Sequence, residues 1–132
     1  MSLLDPNQSI SDSRLVGYWD MSTTISVSGG IRLKDLSGYG NHGTCKSGAT
    51  VADCKSTGQG PLFQADRSML FDGVDDHVDM GNAPASSLRL NGKAMTIVAR
   101  VNQTACSDRR AILTYGKSYY LNCASGNVIE YS

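Results

Sequence analysis

The sequence predicts an all-β, antiparallel fold. Apolar and polar residues alternate with period two over short stretches, glycine and asparagine punctuate those stretches, and no segment carries an apolar stripe of helical period. The predicted strands are Leu15–Met21, Ile31–Asp35, Ser68–Phe71, His77–Met80, Ala94–Val101, Ala111–Tyr115, Tyr119–Cys123 and Val128–Tyr131. In each, β-branched and aromatic residues are bounded by turn formers. Asn91-Gly92, ahead of the strand that begins at Ala94, suits a tight hairpin because both residues tolerate positive φ. Gly38–Gly48, with its four glycines, and Ser56–Pro61 read as loops, while Ser9–Arg14 and Pro84–Leu88 supply at most single helical turns. Residues 1–14 are expected to be a connector and 15–132 one sandwich domain.

The chain has 132 residues, enough for one domain that buries about two thirds of its unfolded surface. Twelve basic and twelve acidic residues leave no net charge, which disfavours nucleic acid or an anionic membrane as partner. Charged residues are 18% of the chain, against about a quarter in an average domain. That is the composition of a loop-rich, extracellular β domain. No stretch of about 18 apolar residues is present to span a membrane, and MSLLDPNQSI has neither the basic nor the apolar region of a signal peptide.

Four cysteines, Cys45, Cys54, Cys106 and Cys123, form two close couples without C-x-x-C spacing, so disulfides are expected rather than zinc. Three connectivities are open, and the local pairs Cys45–Cys54 and Cys106–Cys123 would each close a hairpin-sized loop. Disulfides imply export, so the true N-terminus is expected to have been removed, with Met1 belonging to an engineered start or to an incomplete gene model.

Catalytic groups are scarce. Glutamate occurs once, at Glu130, and histidine only at His42 and His77. A Ser68, Asp75, His77 triad lacks the Gly-x-Ser-x-Gly elbow around its serine. The expectation is that the chain is not an enzyme. Asp72, Asp75, Asp76 and Asp79 put four carboxylates within eight residues, and with Asp35 and Asn41 they offer oxygen ligands suited to calcium. Their spacing is not that of an EF-hand loop, and the plainer reading is a turn whose aspartates cap backbone N–H groups. Trp19 reads as core, and Tyr119 and Tyr120 must face opposite sides of their strand. Asn7-Gln8-Ser9 and Asn102-Gln103-Thr104 fit the N-glycosylation acceptor pattern.

Three blocks stand in a telling order: Leu15-Val16-Gly17-Tyr18-Trp19-Asp20, then Lys34-Asp35-Leu36-Ser37-Gly38-Tyr39-Gly40-Asn41-His42-Gly43-Thr44, then Leu70-Phe71-Asp72-Gly73-Val74-Asp75-Asp76-His77-Val78. They resemble the laminin G-like, concanavalin A-like jelly-roll family, as do Ala94–Val101 and the hairpin segment Ile112–Tyr120. The resemblance implies an antiparallel β-sandwich, often with a structural calcium. Arg100 stands where the family carries tryptophan, and the family's later strands have no counterpart before Ser132. The sandwich is therefore expected to be a fragment, a shortened form, or one completed by a partner chain at an open sheet edge. The glucanases of this fold use an E-x-D-x-x-E strand, which a chain with one glutamate does not carry.

The resemblance and the cysteines imply a non-catalytic extracellular recognition or adhesion module for glycan or protein, with Tyr115, Tyr119 and Tyr120 as ligand-binding candidates. The alternative is a structural head of a bacterial surface filament, since Leu3–Ile10 resembles the segment after the membrane helix of pilin-like proteins. The glycine- and aspartate-rich wording of the blocks is more bacterial than animal.

Overall fold

A computed structural model describes residues 14–81, 87–90, 93–105, 110–115, 119–124 and 128–131. All ladders between its strands are antiparallel, and no helix occurs among the described residues. The chain divides into two compact units, Met1–Ser87 and Leu88–Ser132.

In the first unit, β1 (Thr24–Val27) and β2 (Gly30–Leu33) form a hairpin in which Val27 faces Gly30 across the turn. Gly29 and Gly30 sit at φ 100° and 129°, backbone that a side chain would strain. Next, β3 (Thr44–Ser47) lies between β4 (Thr50–Ala52) and β7 (Asp76–Asp79). A bridge at Leu33 and Gly43, with N···O distances of 2.9 and 2.8 Å, joins the end of β2 to the start of β3. The short pair β5 (Leu62–Phe63) and β6 (Met69–Leu70) completes the unit.

Its core is small. Leu33, Cys45 and Cys54 are fully buried, and Trp19, Met21, Phe63, Met69, Val78 and Met80 pack against them. Gly43 is required there, because a Cβ at that position would collide with Val78 and Met80. The Cys45–Cys54 disulfide lies in this core and ties the β3–β4 hairpin to the segment that follows it.

The second unit is a meander of β8 (Arg110–Tyr115), β9 (Tyr119–Ala124) and β10 (Val128–Tyr131), with an irregularity between Ala111 and Leu113. Tyr119 and Cys123 are buried on one face of β9, and Leu88 is buried too. Cys123 is also disulfide-bonded, and its expected partner Cys106 lies outside the described residues.

Several predicted strands hold with shifted ends: Ile31–Asp35 as β2, Ser68–Phe71 as β6, His77–Met80 as β7, and the last three as β8, β9 and β10. Three readings need correction. Leu15–Met21 is not a strand, because its polar groups are taken by other partners. The Tyr18 N–H donates to Asp35, the Tyr18 carbonyl accepts from Leu36, and the Trp19 indole N–H donates to the Asn41 carbonyl. Met21 then turns to φ 61° beside the Asp20 turn. The loop read over Gly38–Gly48 contains β3 at its end, where neighbours on both sides supply ladders. Ala94–Val101 joins no ladder among the described residues. Strands β1, β4 and β5 were not predicted; Ser28-Gly29-Gly30 is the turn signal that marks the β1–β2 hairpin. Asn91-Gly92, Ser9–Ser13 and Pro84–Ser86 lie outside the described residues.

Candidate functional site

The first block of interest is organised by one carboxylate. Asp35 is buried and accepts four hydrogen bonds: from the Tyr18 N–H at 2.9 Å and the Ser37 N–H at 2.9 Å on Oδ1, and from the Ser37 hydroxyl at 2.8 Å and the Asn41 N–H at 2.9 Å on Oδ2. Three of these come from its own loop, which closes an Asx-type turn. Glycines at 38 and 40, with φ of 91° and 75°, let the chain curl around the carboxylate. The Asn41 amide donates to the Val16 carbonyl at 2.8 Å and to the Ser87 hydroxyl at 2.6 Å. The Asp35 N–H donates to His42 Nδ1 at 3.1 Å, so the proton of a neutral imidazole sits on Nε2. Among the described residues no buried side-chain nitrogen or oxygen lacks a partner.

A second locus is the turn that leads into β7. Asp72 Oδ1 accepts from the N–H groups of Val74, Asp75 and Asp76 at 2.8, 3.2 and 3.2 Å, while the Asp72 N–H donates to Asp76 at 3.1 Å. The Val74 N–H, and to a lesser degree those of Asp76 and Asp75, hold the exposed Asp72 carboxyl below its ordinary value. Asp75 accepts from the Ser47 hydroxyl at 3.1 Å, and its carbonyl accepts from Gly48 N–H at 3.0 Å, which docks the turn on the β3–β4 hairpin. Carboxylate oxygens of Asp72, Asp75 and Asp76 lie within 4.8 Å of one another. This arrangement brings Asp72, Asp75 and Asp76 together and places Asp35 and Asn41, expected to share the same ion, in the separate loop network.

The neighbouring acid, Asp79, bonds Lys46 at 2.7 Å across β3 and β7. That bond, then the Gly81 N–H, holds the Asp79 carboxyl below its ordinary value. His77 is exposed and donates from Nδ1 to the Asp75 carbonyl at 3.1 Å, and the Ser68 hydroxyl donates to Asp66. Ser68, Asp75 and His77 are therefore each engaged locally, with no hydrogen bond linking Ser68 to His77.

In the second unit, Tyr115 and Tyr119 face each other across the β8–β9 hairpin with ring centroids 5.4 Å apart and planes 8° from parallel. The buried Tyr119 hydroxyl donates to the Leu88 carbonyl at 2.8 Å. Burial, with Tyr115 adding to it, raises that phenol above its ordinary value and keeps it a donor. Tyr120 points to the opposite face of β9 and is half-buried. Of the three predicted tyrosines, one thus packs inward and two retain accessible surface.

Scans against protein-family models, curated proteins and solved structures found no match to this chain.

Proposed function

We propose that this chain is a non-catalytic extracellular recognition or adhesion module of the laminin G-like sandwich kind, with a cell-surface glycan or protein as its ligand. One observation carries the reading: the acidic and imidazole groups of its marked blocks are engaged with backbone. Asp35 takes three N–H groups and a hydroxyl, Asp72 takes three N–H groups, and His42 takes one. A general base or nucleophile needs a free lone pair aimed at a substrate, whereas a scaffold needs its loops held in one shape. The Cys45–Cys54 disulfide supports the extracellular part of the reading.

Accessible aromatic surface on the β8–β9 hairpin supplies the contact, through Tyr120 on the face of the sheet opposite the Tyr115–Tyr119 stack. Binding to a glycan array and to cell-surface protein fractions tests this, with Tyr120→Ala as the variant. Saturable binding that falls at least tenfold in the variant supports the proposal. Turnover of any substrate that disappears in Asp75→Asn or His77→Ala would overturn it and make the chain an enzyme.

A structural calcium belongs to the same proposal. Three carboxylates within 4.8 Å are hard oxygen donors of the kind calcium selects. Asp72, Asp75 and Asp76 would hold it, and the ion would brace the turn ahead of β7. Titration calorimetry with calcium, on the chain and on Asp75→Asn, should show binding that the variant loses. If calcium releases no heat and leaves the melting temperature unchanged, the N–H groups on Asp72 close the turn unaided and the calcium proposal falls.

A further inference from the structure

The Asn-x-Thr triplet at Asn102-Gln103-Thr104 belongs neither to the loop networks of the first unit nor to the aromatic hairpin of the second. Neither Gln103 nor the following Ala105 is a proline, so the acceptor pattern is intact. Residues 102–105 are all exposed, in irregular backbone with a bend at Thr104. They join no ladder among the described residues, and neither do the residues before them back to Ala94. Among the described residues no hydrogen bond engages Asn102 or Thr104. Asn41 offers the contrast: its amide nitrogen donates to the Val16 carbonyl at 2.8 Å and to the Ser87 hydroxyl at 2.6 Å, which fixes the plane of its carboxamide. An amide nitrogen is a weak nucleophile while its lone pair is conjugated with the carbonyl, so an enzyme that attaches a group there must first twist the carboxamide. Asn102 can be twisted, and its segment can enter an enzyme's cleft, without breaking a hydrogen bond of the fold. The Cys45–Cys54 disulfide and the bonded Cys123 fit an oxidising compartment, the surroundings in which sugars are added to asparagine.

We propose that Asn102 is a glycosylation site that stays open in the folded chain, the acceptor for an oligosaccharide carried on a polyprenyl diphosphate. In the transfer, Asn102 Nδ2 bonds to the anomeric carbon of the first sugar. The bond from that carbon to the diphosphate oxygen breaks, the diphosphate leaves with the electron pair, and Nδ2 gives up one proton, so nothing is oxidised or reduced. Thr104 supplies the hydroxyl by which the transferase reads the acceptor. The second triplet, Asn7-Gln8-Ser9, lies outside the described residues and has no part in the proposal. The site is independent of the ligand and of the calcium proposed above.

The test is secretion of the full chain from eukaryotic cells behind a cleavable leader, followed by reduction, trypsin digestion and mass spectrometry of peptide 101–109, in which Asn102 is the only asparagine. The wild-type peptide should carry hexose and N-acetylhexosamine, and peptide N-glycosidase should leave it with aspartate at position 102. Asn102→Gln and Thr104→Val should lose the sugar, and Thr104→Ser should keep it. A second measurement needs no secretion: the purified, disulfide-intact chain is offered to an oligosaccharyltransferase with lipid-linked oligosaccharide, beside the same chain reduced and unfolded. The folded chain should be modified at Asn102 as fully as the unfolded one. An unmodified wild-type peptide, sugar at Asn7 alone, sugar that persists in Thr104→Val, or transfer to the unfolded chain only would each overturn the proposal.

Discussion

The two units reach a β fold by different means. In the first, no strand exceeds four residues, and the shape is set by what lies between strands: the Asp35 loop, the Asp72 turn and the Cys45–Cys54 disulfide. In the second, β8 and β9 run six residues each, and consecutive hairpins supply their own hydrogen bonds. The difference teaches where each unit is vulnerable. Side chains that anchor loops over long sequence separations hold the first unit, so single substitutions there remove several bonds at once. A local meander loses only what the substituted residue contributes.

Asp35→Ala should have the largest effect. It leaves the Tyr18, Ser37 and Asn41 N–H groups without their acceptor in a buried loop, at a cost of about 3–4 kcal/mol. Trp19, the single tryptophan, packs on the first unit's core, so its fluorescence during urea unfolding reads this unit alone. Asp35→Asn should recover about half, because one oxygen still accepts from Tyr18 and Ser37 while the new amide faces the Asn41 N–H. Amide exchange in β8 and β9 should be unchanged in both variants. Equal destabilisation of both units would end the contrast drawn here.

Replacing Cys45 and Cys54 together by alanine should cost about 2–3 kcal/mol, the value for a loop of this length. The same fluorescence transition should move to lower urea. A midpoint that does not move would mean that the loop network alone sets the unit's stability.

The contrast also explains what could be read from the sequence. The meander was legible because alternation and turns are local, and Ala111–Tyr115, Tyr119–Cys123 and Val128–Tyr131 recur as β8, β9 and β10 with ends moved by one residue at most. Cys45 and Cys54 paired as their spacing allowed. Leu15–Met21 misled because period-two alternation does not reveal that a buried carboxylate seventeen residues away takes the backbone N–H of Tyr18. Strand β3 was hidden because Cys45 is its one apolar residue among Thr44, Lys46 and Ser47. The acidic residues were visible as a set, and the Asp35-x-Ser37 spacing of an Asx turn was the available signal that Asp35 belongs to its own loop and not with Asp72.

A smaller effect sharpens the second unit's side of the comparison. Tyr119→Phe keeps the stacked ring on Tyr115 and removes only the hydroxyl bond to the Leu88 carbonyl. The expected cost is about 1 kcal/mol. Amide exchange in β8 and β9 should quicken by about fivefold, with Trp19 fluorescence unfolding where it did before.

The smallest effect is electrostatic and belongs to the first unit. Asp79 and Asp20 have carboxyls held below their ordinary value of 3.8. For Asp79 the Lys46 bond is the main cause. For Asp20, burial alone would raise the value, but the Thr23 hydroxyl and the N–H groups of Ser22 and Thr23 outweigh it. A carboxyl whose value falls on folding stabilises the folded state above its unfolded value, and that stability is lost as pH drops through the folded one. The Trp19-monitored melting temperature should therefore be level above about pH 5 and fall below about pH 4. Lys46→Met should lower stability at neutral pH by under about 1 kcal/mol, because the pair is partly exposed and screened by solvent. The same substitution should flatten the acid limb, since Asp79 then has less to lose on protonation. An acid limb as steep in Lys46→Met as in the parent chain would assign the pH dependence to Asp20 and Asp72 and the turns that they cap.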